Sequence, residues 1–181
     1  MGTEMLAVGG CFGRFPRERL RAAQARKNRY VSIEIIFLLM SLHHLLLLNF
    51  AAAAYLTGLM WMVQVVHYPS FGLVPKEAWV AFHRAHTRRM GYVVMAPMVL
   101  ELALAIWLAW AGRAALPGGA GWWSLGLVAL VWAATFFISV PFHNRLETGF
   151  DYIAIDGLTR TNWLRTLAWT ARVVLLGWLL A

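Results

Sequence analysis

Trp122–Phe142 reads WWSLGLVALVWAATFFISVPF, with no charged side chain in the run. An apolar stretch of this length signals a transmembrane helix, because in lipid a helix satisfies all of its own backbone N–H and C=O groups. Upstream lies the turn Leu116-Pro-Gly-Gly-Ala-Gly121, and before it a second apolar run, Gly91–Ala111, holding Pro97 and Glu101. Leu45–Val66 and Trp163–Ala181 are two further runs of similar length. Trp122, Trp123, Trp163 and Trp178 stand near the ends of these runs, where aromatic belts form. The reading is an all-α, integral-membrane, up-down four-helix bundle with crossings at 45–66, 91–111, 122–142 and 163–181.

Composition supports lipid as the solvent. Of the 181 residues, 61% are hydrophobic and 13% charged, whereas soluble domains carry about 45–50% and about 25%. A soluble globular domain is excluded. The net charge is +8, and seven of the sixteen Lys and Arg lie between Arg14 and Arg29. Basic residues beside apolar spans mark a segment held near anionic headgroups on the cytoplasmic side, not a nucleic-acid site. Residues 1–30 are therefore expected to form a basic N-terminal tail or surface helix, with Val31–His44 as an interfacial lead-in to a membrane domain at 31–181. The loops of the opposite face also hold seven Lys and Arg, so the preference for a cytoplasmic tail, in a bacterial inner membrane, is slight. Tyr68-Pro69 and Gly72 are expected to end the first helix. Lys76–Met90 is predicted as a short amphipathic loop helix and 143–162 as a polar loop. The single Cys11 excludes an internal disulfide.

Alternating crossings bring distant residues together. His67, His83, His86 and His143 should share one face of the bundle, joined by Asn144, Arg145, Glu147, Asn162 and Arg165; His43 and His44 fall elsewhere. On the loop helix, Glu77, Arg84 and Arg88 form one stripe, and Trp79, Phe82, His83, His86 and Met90 the opposite one. His83-x-x-His86 allows two imidazoles to converge on one ion, and imidazole suits Zn, Cu, Fe and Ni. The candidate metal ligands are His67, His83, His86 and His143, with iron or copper as the metal. The competing interpretation is a set of hydrogen-bonded interfacial imidazoles. Glu147 is a candidate ligand or base, and Asn144 and Arg165 candidate substrate-orienting groups. Thr135, Ser139 and His143 recur every four residues, either as a substrate path or as hydroxyls bonded to their own helix. Glu101 and Arg172 should lie roughly 15 Å and 14 Å deep at 1.5 Å per residue. They are expected to form a buried ion pair, acting as a register clamp or a proton relay.

Three stretches, the small-residue first helix leading to His67-Tyr68-Pro69, Val140-Pro141-Phe142-His143-Asn144, and Asn162-Trp163-Leu164-Arg165-Thr166, resemble the anthrone-oxygenase-like family of small four-helix membrane proteins. The resemblance implies a four-helix membrane fold and oxygenation of a hydrophobic ring substrate; His83-x-x-His86 is not expected across that family. Three functions compete. The first is a metal-dependent membrane oxidoreductase or oxygenase acting on a lipophilic small molecule. The second is an electron-transfer subunit for quinone or b-type haem, in which His67 and His143 bind the cofactor. The third is a non-catalytic subunit bound to partner subunits of a larger respiratory or photosynthetic complex.

Overall fold

A computed structural model describes the backbone of residues 15–181, with the side chains of residues 20, 21, 24–28 and 41–181. The start of the expected basic tail, with Cys11, lies outside the described residues. The chain divides into two units, 1–41 and 42–181. In the first, the backbone is helical from Phe15 onward, so what is described of the expected tail and lead-in is continuous helix. Its Arg21, Arg26 and Lys27 are exposed.

The helices are α1 (Phe15–Met62), α2 (Trp79–Ala111), α3 (Ala120–Ala134), α4 (Val140–Glu147) and α5 (Tyr152–Leu180). Three stretches are long and apolar enough to cross a membrane: Ser41–Leu73, Lys76–Ala111 and Pro117–Glu147. The helix α5 is not among them; it is 29 residues long but carries Asp156, Arg160, Arg165 and Arg172. Much of the outer surface is apolar, with Trp107, Trp110, Trp123 and Phe137 all exposed, which suits contact with lipid acyl chains.

Side-chain links fix the helix directions in the second unit. Asn49 of α1 donates to the Leu104 carbonyl of α2, while His67, further along the first helix, meets His86 near the start of α2. Arg172 joins Asn49, Glu101 and Ser124 at one end; Arg165 meets Ser139 and Met60 nearer the other. Neighbouring helices are therefore antiparallel.

Two sequence expectations need correction. There is no separate loop helix at 76–90: after a 3-10 turn at Lys76–Ala78, α2 runs unbroken from Trp79 to Ala111. Gly91 does not interrupt it, since one helical glycine costs only about 1 kcal/mol. The stretch 143–162 is not a loop. The helix α4 continues to Glu147, and Asp151 caps α5 by accepting from the Ala154 N–H at 3.0 Å. That bond, with the Arg145 guanidinium beside it, holds the Asp151 carboxyl below the usual carboxylate range. The early start of α5 is explained by its buried Ala154, Ile155 and Leu158, an apolar stripe at three- and four-residue spacing hidden among polar neighbours. The first helix ends where expected: its α-helical part closes at Tyr68–Ser70, a 3-10 turn follows at Phe71–Leu73, and the chain reverses where Val74 and Pro75 are extended.

The turn between α2 and α3 forms where expected, with Gly118 and Gly119 both at positive φ. Next to it, a Cβ on Gly121 would meet the Ala109 Cα at 3.0 Å, so the backbones of α2 and α3 approach closely there.

Candidate functional site

Two wide turns shape the polar end of the bundle. Val63–His67 and Thr135–Ser139 are π-helical, closed by the Tyr68 N–H on the Val63 carbonyl and the Val140 N–H on the Thr135 carbonyl. Each ends two residues before a proline, Pro69 and Pro141. Proline has no N–H and crowds the carbonyl four residues back, which favours widening of the preceding turn. One extra residue in a turn rotates the downstream side chains by about 100° around the helix axis. The segments after these bulges carry Tyr68 and His143 into the bundle.

Four imidazoles meet there. The ring centroids of His67 and His86 are 4.7 Å apart, His83 and His143 5.4 Å, His86 and His143 5.7 Å, and His83 and His86 6.1 Å. Their nitrogens face each other in two chains. His67 Nε2 lies 2.8 Å from His86 Nδ1. Tyr68 Oη lies 3.2 Å from His143 Nε2, whose Nδ1 is 3.1 Å from His83 Nε2. Each imidazole–imidazole contact needs one protonated and one bare nitrogen, and the Tyr68 phenol can donate or accept, so a proton can shift along the chain without net change of charge. Among the described residues, His83 Nδ1 is buried without a partner. Aromatic rings fix the set: Trp79 stacks on His83 and donates to the Leu146 carbonyl, while Phe71 stands edge-on to His67 and His86.

Beside these rings is a cavity of about 270 Å³. His86, His143, Tyr68 and Arg165 line its polar part, and Met60, Val63, Met90 and Val94 its apolar part. Asn144, Glu147, Thr135 and Ser139 also line it, so the hydroxyl stripe runs along the pocket wall. Thr135 Oγ1 nonetheless donates to its own helix at the Val131 carbonyl.

Arg165 is only 6% exposed. It donates to Ser139 Oγ at 2.9 Å and contacts Met60 Sδ at 3.1 Å, and its guanidinium lies 5.8 Å from the Trp169 ring centre. Its Nε has no hydrogen-bond partner among the described residues. Among the described residues it pairs with no carboxylate, since the ion pairs are Arg145–Asp151, Arg160–Asp156 and Arg172–Glu101.

The sequence-predicted residues thus divide. His86, His143, Glu147, Asn144 and Arg165 border one pocket, with His67 and His83 directly behind. Arg145 does not join them; it is exposed and bound to Asp151. Asn162 is buried and donates to Gln64 Oε1. His43 and His44 are exposed on α1. The four-histidine metal set is not assembled as expected: among the described residues, no three His, Cys, Asp or Glu side chains are arranged to hold a metal ion, because the ring nitrogens are turned towards one another. Tyr68 was missed, although it sits inside the His67-Tyr68-Pro69 motif; proline two residues beyond a polar helix end was the available signal.

Glu101 and Arg172 form a separate cluster, both fully buried and 2.7 Å apart. Arg172 also donates to Ser124 and Asn49, and Trp169 Nε1 donates to the other Glu101 oxygen.

No protein-family model, curated protein or solved structure matches this chain.

Proposed function

We propose that the chain is a membrane-embedded oxidoreductase or oxygenase, that all four long helical segments cross the bilayer, and that a lipophilic small molecule binds in the pocket beside the histidines. The supporting observation is the pair of hydrogen-bonded chains, His86–His67 and Tyr68–His143–His83, bordering a cavity that is otherwise largely apolar. An apolar pocket with a few convergent polar groups is the usual form of a small-molecule site. In this reading His86 and His143 take up the proton that oxidation of the substrate releases, with dioxygen as the electron acceptor. Asn144 and Glu147 contact the part of the substrate nearest the rim.

The test is dioxygen uptake by protein in lipid nanodiscs, supplied with a panel of lipophilic hydroxy-aromatic compounds. Substrate-dependent uptake is expected, falling about 100-fold or more in His86→Gln and His143→Gln, the usual worth of a general base. Uptake that is absent across the panel, or unchanged in both variants, overturns the proposal.

The closeness of four imidazoles favours one second reading, a redox iron or copper ion bound after the rings turn towards a common point. Metal analysis of purified protein separates the two. Near one equivalent, lost in His86→Gln, supports the metal; a fully active protein with only traces of metal ends it.

A further inference from the structure

We infer that the ligand of this pocket is a lipid-soluble oxygen acid, which enters as the neutral molecule and is held as its oxyanion by Arg165. The inference rests on the pocket's being a small-molecule site and adds the chemical class of the molecule.

The first ground is charge. A buried guanidinium is costly unless an anion offsets it. Arg165 is nine-tenths buried, lines the cavity, leaves Nε without a partner, and has no carboxylate within ion-pair distance among the described residues. Arg172, on the same helix, shows the alternative, since Glu101 neutralises it. The titratable groups around the cavity do not serve Arg165 in this way. Tyr68 of the first helix is within hydrogen-bond reach of the guanidinium, but it offers a phenol oxygen shared with His143 Nε2 and not a carboxylate. His86 of α2 and His143 of α4 are neutral or cationic. Glu147 of α4 is exposed on the rim and makes no ion pair among the described residues.

The second ground is access. The cavity lies between α2, at Thr87–Met95, and the opposing segment from Thr135 to Glu147. Two of its lining residues, Met95 and Val140, are exposed apolar side chains. A Cβ on Gly91 would meet nothing within 4 Å, so the α2 side of the slot is open. A fixed anion would pay heavily to arrive through lipid, whereas a neutral acid does not.

The third ground is proton uptake. The acid's O–H bond breaks, and its electron pair stays on oxygen as the anion facing Arg165. The proton goes to His86 Nε2, the ring nitrogen that His67 does not engage, and a shift along the His86–His67 pair moves a proton towards the half-buried His67. Nothing is oxidised in this step. The cavity size is consistent: an apolar cavity of roughly 150 Å³ holds benzene, and this one is about 270 Å³.

The experiment uses the full chain in lipid nanodiscs, with 4-nitrophenol as probe and nitrobenzene as its non-acidic counterpart. The phenol is colourless and the phenolate yellow. In buffer below the pH at which free 4-nitrophenol ionises, wild type is expected to generate a saturable yellow signal. Arg165→Met should abolish the colour and weaken 4-nitrophenol binding about tenfold or more, leaving nitrobenzene binding unchanged; Arg165→Lys should keep part of the colour. Gly91→Phe closes the slot without touching Arg165, and should weaken both probes while melting as wild type does, which tests the pocket itself; if Arg165→Met folds poorly, the wild-type colour and its partial retention in Arg165→Lys still decide the oxyanion assignment. If wild type binds both probes alike and 4-nitrophenol stays colourless, or if Arg165→Met turns it equally yellow, the oxyanion assignment is overturned and the pocket reading survives. If neither probe binds to wild type, both fall.

Discussion

Arg165 and Arg172 lie two turns apart on α5, roughly 10 Å at 1.5 Å per residue, and both are buried, yet their surroundings are opposite. Arg172 has a full set of partners: Glu101, Ser124 and Asn49, each from a different helix. Arg165 has the Ser139 hydroxyl, the Tyr68 phenol, a thioether and an aromatic face, and it borders a cavity. Trp169 stands between them, donating to Glu101 and lying beneath Arg165. Burial alone does not mark a functional charge. What separates the two is whether the protein supplies the counter-charge: the satisfied arginine holds helices in register, and the unsatisfied one is left for a ligand.

The largest effect is expected at the satisfied pair. Arg172→Met strands Glu101 in the interior and should cost about 3–5 kcal/mol, the usual penalty for breaking a buried pair. Thermal melting in detergent reads it. The double variant Glu101→Gln/Arg172→Met should recover a large part of that loss, because no bare charge remains; a double variant as unstable as the single one would break the comparison. Arg165→Met should behave differently, changing stability by no more than about 1 kcal/mol, since an unpaired buried charge is replaced by an apolar chain of similar length. Tyr68→Phe should cost about 0.5–1.5 kcal/mol, the net worth of one hydrogen bond, and leave His143 with His83 alone. The smallest effect is expected far from both arginines. Asp151→Ala removes the cap of α5, and faster amide exchange confined to the first turn of that helix should report it. The depressed pKa of Asp151 gives its contribution a sign: it is present above the carboxyl's unfolded pKa and lost as pH falls through the lower folded value.

Much of this was legible in the sequence. Uncharged apolar runs of membrane length identify helices whatever their neighbours do, so Trp122–Phe142 could be assigned alone. The meeting of His67, His83, His86 and His143 followed from chain reversal, and Glu101 with Arg172 from matching depth. The polar helix starts were not legible. The first turns of α5 carry Asp156, Thr159, Arg160 and Thr161, and the buried stripe of Ala154, Ile155 and Leu158 is too short to stand out from them. The join of 76–90 with 91–111 was lost because a glycine between polar and apolar halves looks like a boundary. The metal set was overstated for a different reason: spacing places imidazoles near one another but does not say where their nitrogens point. The lack of a counter-charge at Arg165 was beyond sequence altogether, since it depends on which carboxylates fail to reach it.

The contrast between the arginines is tested most directly by ligand-dependent melting of wild type, Arg165→Met and Arg172→Met side by side. A ligand at a hundred times its Kd stabilises the folded state by about 2.7 kcal/mol. With 4-nitrophenol at that level, the expected result is a clear upward shift for wild type, the same shift from a much lower start for Arg172→Met, and about half that shift or less for Arg165→Met, whose Kd is about tenfold or more higher. A shift in Arg165→Met as large as in wild type would show that the uncompensated arginine is not the ligand's counter-charge.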